Sequence, residues 1–162
     1  MADNWIPTRG WMFDPSDTEM LDILEDYATG RASPPQATIN FADVYGDINP
    51  SVFFARAVGD PSNPTVKYFV TTTKEISASR FSKSFWKEDS QPIGIINEAT
   101  GEKRGFKKRM KLQMDNSRWI MMEYSLNSNI PGVQEDLKNE VICRVRRIPT
   151  NNPEAQAQAQ QQ

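Results

Sequence analysis

Lys103-Arg-Gly-Phe-Lys-Lys-Arg-Met-Lys-Leu-Gln-Met-Asp-Asn-Ser-Arg-Trp-Ile-Met-Met-Glu-Tyr-Ser-Leu126 is the stretch whose reading decides the fold. In its first half Phe106, Met110, Leu112 and Met114 share one parity, and Lys107, Arg109, Lys111 and Gln113 the other. That two-residue period predicts a half-buried strand with a cationic outer face. Asp115 and Asn116 supply turn chemistry, and Arg118–Leu126 forms a second, more apolar strand carrying Trp119, Met121 and Met122. The expected unit is a basic β-hairpin supported by the rest of the chain.

Working outward, Val66–Thr73 is a β-branched and aromatic strand, and Ile93–Asn97 another, joined to Lys103 by the Gly-containing hairpin loop Glu98–Glu102. Glu140–Arg147 is the final strand; Val141, Cys143 and Val145 share a face, so Cys143 reads as a small core hydrophobe, with Arg144, Arg146 and Arg147 outward or beyond it. Helical signals are confined to the first third. Ser16-Asp-Thr-Glu19 fits a capping box, Met20, Leu21, Ile23, Leu24 and Tyr27 follow at helical spacing, and Gly30 can stop a helix of about 12 residues. Helices first and strands afterwards predict an α+β fold, a twisted antiparallel β-sheet flanked by a few helices. Arg31–Gln36 is a connector, Asn127–Lys138 a polar loop broken by Pro131-Gly132, and Asn151–Gln162 an Ala/Gln-rich tail too poor in apolar bulk to pack.

Composition removes most chemistry. The chain of 162 residues has one cysteine and no histidine, which excludes a disulfide framework, Ser-His-Asp and Cys-His catalysis, and His-containing metal sites. Paired carboxylates such as Glu88-Asp89 have no cleft signal around them, so an enzyme is not expected, and neither a metal nor a cofactor is implied. Gly94 and Gly101 are turn residues, since no Gly-Lys-Ser/Thr follows them. With no targeting segment and no run approaching roughly 18 apolar residues, a soluble intracellular protein with no membrane partner is expected.

The net charge of −2 is unevenly spread: −7 over residues 1–66, +6 over 67–111 and −1 over 112–162. A basic island of that kind fits a phosphate-bearing partner, although it also fits a solvated face. Within it, Lys74 to Lys87 carries Lys74, Arg80, Lys83 and Lys87 together with Phe85-Trp86, where Trp86 is expected in the core and Lys87 exposed.

Eight segments carry a family resemblance. Trp119-Ile-Met-Met-Glu-Tyr-Ser-Leu126 resembles the Trp-(Val/Ile)-Met-His-Glu-Tyr-Arg-Leu signature of the NAC-domain plant transcription factors, and Gly105-Phe-Lys-Lys108 resembles their Gly-x-Lys-Lys. Gly10-Trp-Met-Phe-Asp-Pro-Ser-Asp-Thr-Glu-Met-Leu21 resembles the family opening, Gly-Phe-Arg-Phe-x-Pro-Thr-Asp-Glu-Glu-Leu. Ile39–Tyr45, the Pro-led Asn49–Phe54, Lys67-Tyr68-Phe69 and Val141-Ile-Cys-Arg144 match further family segments, the Pro-led one being a short helix there. Phe85-Trp86-Lys87 resembles the start of Gly-Tyr-Trp-Lys-Ala-Thr-Gly-x-Asp-Lys, the family's DNA-reading edge strand, and then departs from it at Glu88-Asp89-Ser-Gln-Pro-Ile93.

The resemblance implies a DNA-binding and dimerisation domain over residues 6–148, a disordered tail over 149–162, and a nuclear protein that binds double-stranded DNA sequence-specifically and regulates transcription. It implies phosphate contacts by Lys74, Arg80, Lys83 and Lys87, with Lys107 and Lys108 as second candidates. It also implies a homodimer, or a heterodimer with other NAC-domain proteins, through a short strand pairing involving Pro7, Arg9, Trp11 and Met12, and through Glu19, whose pairing arginine is replaced by Met12. Lys103–Arg109 resembles a nuclear import signal. Because Glu88 and Asp89 stand where small residues and a lysine are usual, they are expected to face phosphate charge and weaken or alter DNA binding. The alternative is an interaction module that dimerises with intact relatives and has weak or no DNA binding of its own.

Overall fold

The computed structural model describes residues 13–46, 49–73, 86–114 and 117–149. Phe13, the first described residue, donates its N–H to Asp60 Oδ2 at 2.9 Å. Helix α1, Asp17–Ala28, follows; Glu19 N–H donates to Ser16 Oγ at 3.2 Å and Glu19 Oε1 accepts from Ser16 N at 2.9 Å. This is the expected capping box, which satisfies two otherwise orphaned donors. Replacing Ser16 by alanine is expected to lower stability by about 1 kcal/mol, read as a shift in the urea midpoint. An unchanged midpoint would show that the cap contributes nothing.

Strand β1 is Ile39–Phe41, and helix α2 is Pro50–Arg56, begun by Pro at its first position and by the Asn49 side chain accepting from Ser51 N at 2.9 Å. Strands β2 (Val66–Thr72), β3 (Lys87–Glu88), β4 (Ile93–Ile96), β5 (Lys103–Met114), β6 (Ser117–Leu126) and β7 (Glu140–Pro149) complete the sheet, with a 3-10 turn at Glu135–Leu137. The order among the described residues is β1-β2-β7-β6-β5-β3, with β4 also on β5. The hairpin read from the sequence is therefore the centre of the sheet, β5 and β6 pairing from Gly105↔Leu126 to Met114↔Ser117.

The α+β class is as expected, a twisted sheet flanked by helices, with one strand pair departing from the antiparallel pattern. The sheet is mixed rather than antiparallel throughout, because β1 runs parallel to β2. A parallel pair cannot be closed by a tight turn, and residues 42–65, with α2, supply the crossover. The last strand also runs two residues past Arg147, to Pro149.

Both sheet faces are covered at the centre. One packs Trp86, Trp119, Met121 and Cys143 against α2 residues Phe53 and Phe54; the other packs Tyr124, Val70 and Ile142 against α1 residues Leu21 and Leu24. In β7, Ile142 and Cys143 are consequently both fully buried, so the last strand does not alternate between core and solvent along its whole length. No helix among the described residues is long and apolar enough to cross a membrane.

Candidate nucleic-acid interface

Strand β3 is the short edge beside β5, and its position is fixed by the residue before it. Trp86 is 1% exposed, lies in the core with Phe54 and Trp119, and its indole N–H donates to Val44 O at 3.3 Å. A buried aromatic with its one donor satisfied makes a rigid anchor. It leaves Lys87, the next residue, exposed on the sheet edge. Of the candidate phosphate contacts, Lys74, Arg80 and Lys83 lie outside the described residues, and Lys87 is the one the structure places at this edge. The dimerisation candidates Pro7, Arg9, Trp11 and Met12 also lie outside them. Glu19 is described, and its carboxylate is engaged in the cap of α1.

Lys107 and Lys108 diverge, because consecutive residues of a strand face opposite sides. Lys107 Nζ sits 2.7 Å from Asp17 Oδ2 under α1, while Lys108 Nζ sits 3.2 Å from Glu88 Oε1 on the other face. Burial alone would raise the Asp17 carboxyl, but hydrogen bonds from Lys107 and from the Tyr124 hydroxyl at 2.6 Å outweigh it and hold the group below its ordinary value. The two lysines do not form one phosphate-facing patch.

The acidic pair is the chief surprise. Expected to face a phosphate backbone, Glu88 and Asp89 instead point at the cations of β5. Besides the Glu88–Lys108 contact, Asp89 reaches Arg109 at 3.0 Å and Lys111 at 3.2 Å, and its backbone N–H extends the ladder to Arg109 O at 2.9 Å. The register explains why. Lys87 pairs directly with Lys111, a like-charge opposition that costs stability, and Asp89 supplies the counter-charge beside it. The run Lys103–Arg109 is built into the sheet, with Arg104 also paired, at 2.9 Å to Asp22 and 3.4 Å to Glu25.

Sequence reading missed a second basic surface. On the face of β5 that carries Arg109 and Lys111, the register aligns Arg109, Met122, Arg144 and Tyr68 in one cross-strand row and Lys111, Ile120, Arg146 and Val66 in the next. The alternating cations in 107–111 and 144–146 are visible in the sequence; their alignment depends on register, which is not. Among the described residues no group of three or more His, Cys, Asp or Glu could hold a metal ion.

Against known proteins, the model of the family described as No apical meristem (NAM) protein matches residues 7–126. No curated protein matches the chain.

Proposed function

The chain belongs to the No apical meristem family, the NAC-domain family, and on that premise we propose that it acts in the nucleus as a dimer that binds double-stranded DNA sequence-specifically and regulates transcription. The family match carries this reading. Its edge-strand geometry is supported by Lys87, held exposed at the border of the sheet by the buried Trp86. The major groove admits a β-structure, so an edge strand can enter it while cations settle on phosphates. Lys74, Arg80, Lys83 and Lys87 are the proposed phosphate contacts. Lys107 and Lys108 rank behind them, since each must first leave a carboxylate. Dimerisation is assigned to Pro7, Arg9, Trp11, Met12 and Glu19. The working unit is taken as residues 6–148, with 149–162 as a tail, and no covalent chemistry is assigned.

A second reading has its own observation. Glu88 pairs with Lys108 and Asp89 with both Arg109 and Lys111, so two negative charges offset part of the charge of β5 that a polyanion would meet. This favours an interaction module that pairs with intact relatives and binds DNA weakly.

The test is binding to a duplex carrying the family's recognition core and to a scrambled duplex, across a salt series, for wild type and Glu88→Ala/Asp89→Thr. If the four leading cations each neutralise one phosphate, log K should fall against log salt with a slope of about −3.6. The double variant, with Arg109 and Lys111 released from Asp89, should bind more tightly at low salt and steepen the slope by up to about 1.8. Specific binding absent from wild type and acquired by the double variant would overturn the first reading in favour of the second.

A further inference from the structure

The cross-strand rows on the α1 side of the sheet alternate cation with apolar side chain. Reading outward from Val66, one row alternates through Arg146, Ile120 and Lys111 and then ends on a second cation, Lys87; its neighbour runs Tyr68, Arg144, Met122, Arg109. Helix α1 covers this face only at the end near Gly105 and Tyr124, where Leu21 and Leu24 pack. The uncovered part forms two adjoining grooves of about 490 and 570 Å³ that share Arg109 and Ile120.

The charge on this surface is one-sided. Six cations, Lys87, Arg109, Lys111, Arg118, Arg144 and Arg146, face it against the carboxylates of Asp14 and Asp89. Asp89 is already divided between Arg109 and Lys111. Arg144 is tethered to a backbone carbonyl, Pro15 O at 3.1 Å, and stacks over Tyr124 at 5.8 Å. Arg118 and Arg146 are exposed and have no acidic partner among the described residues. Between them Ile120 and Met122 are half-buried, an apolar floor within a cationic rim.

We propose that this sheet face docks a short extended peptide in which acidic and aliphatic residues alternate, contributed by a partner protein. The row from Val66 to Lys87 crosses four strand spacings, about 19 Å, which accommodates about six extended residues. Carboxylates of such a peptide meet the rim, and its aliphatic side chains desolvate Ile120 and Met122. A phosphodiester backbone fits less well, because it offers nothing to an apolar floor.

The experiment is fluorescence anisotropy of a labelled heptapeptide of alternating aspartate and leucine, titrated with the full chain. Saturable binding with Kd on the order of 10–100 µM is expected for a contact of this size. Changing the leucines to asparagine should abolish it, and Arg118→Glu or Arg146→Glu, both at exposed positions, should each weaken it about tenfold. An unlabelled duplex, which shares only Lys87 at the sheet edge with the peptide, should weaken peptide binding at most a few-fold. Lack of binding up to millimolar protein, equal binding of the asparagine peptide, insensitivity to both arginine variants, or stoichiometric displacement by the duplex would each overturn the proposal. The last outcome would assign the face to nucleic acid.

Discussion

Replacing Gly105 by alanine is expected to destabilise the protein by about 3 kcal/mol or more, among the largest effects of adding a single methyl group. The position shows no positive φ, so the cause is space rather than backbone freedom. A Cβ on Gly105 would run into the carbonyl oxygen of Ser125 on the neighbouring strand and would come within 3.0 Å of Leu21 Cδ2. Leu21 is fully buried in α1, and a backbone carbonyl within a ladder cannot swing aside as a flexible side chain can. Relief therefore requires β5 to move away from β6, or α1 to lift from the sheet. Either movement disturbs function, because β5 carries Lys107, Lys108, Arg109 and Lys111 to their carboxylate partners. The check is urea unfolding of Gly105→Ala beside Gly94→Ala. The latter Cβ approaches only the flexible end of Lys103, at 3.0 Å, and should cost far less. Equal midpoints for the two variants would show that α1 does not rest on β5 as closely as this.

Gly105 illustrates how much of the molecule was legible in the sequence. Its neighbours announce a strand, and its resemblance to a family motif is visible, yet the reason for glycine there depends on a helix arriving from 84 positions earlier in the chain, at Leu21. Local patterns were readable from nearby residues alone in the capping box of α1, the alternation in β5 and the common face of Val141, Cys143 and Val145, whereas the Pro-led α2 was legible only through the family resemblance. What depended on register was not. Nothing in the run Lys87-Glu88-Asp89 says that Lys87 lands opposite Lys111, and without that pairing the natural reading sends the carboxylates toward solvent and phosphate rather than onto β5. The parallel pairing of β1 and β2 was hidden similarly, since three residues of strand have no directional signature.

Wild-type stability is expected to fall by about 3 kcal/mol between pH 4.5 and pH 8, and a Glu123→Gln variant to lose most of that dependence. Glu123 is 8% exposed, faces the core layer of Trp119 and Met121, and pairs in register with Lys108 on β5 and Cys143 on β7. Burial pushes its carboxyl from 4.5 up to about 7. The Tyr45 hydroxyl donates to Glu123 Oε2 and works in the opposite sense, favouring the ionised form, but desolvation dominates. The sign follows from the proton balance. Between about pH 4.5 and 7 the folded protein holds a proton on Glu123 that the unfolded chain has released, so raising pH favours unfolding. The contribution is complete below the unfolded value and disappears as pH rises through the folded one. A difference of about 2.5 pH units corresponds to about 3 kcal/mol at 1.36 kcal/mol per unit. Glutamine keeps an oxygen for Tyr45 and carries no charge, so the variant should match wild type near pH 4.5 and exceed it by up to about 3 kcal/mol at pH 8. Urea unfolding at pH 5, 6, 7 and 8 measures both slopes; parallel curves for the two proteins would show that Glu123 keeps an ordinary carboxyl. The same titration bears on β5, because an ionised Glu123 lies directly across from Lys108 and competes with Glu88 for its charge. A Glu88–Lys108 contact weakened above pH 7 in wild type, and unaltered by pH in Glu123→Gln, would tie the buried carboxyl to the edge strand that carries Lys87.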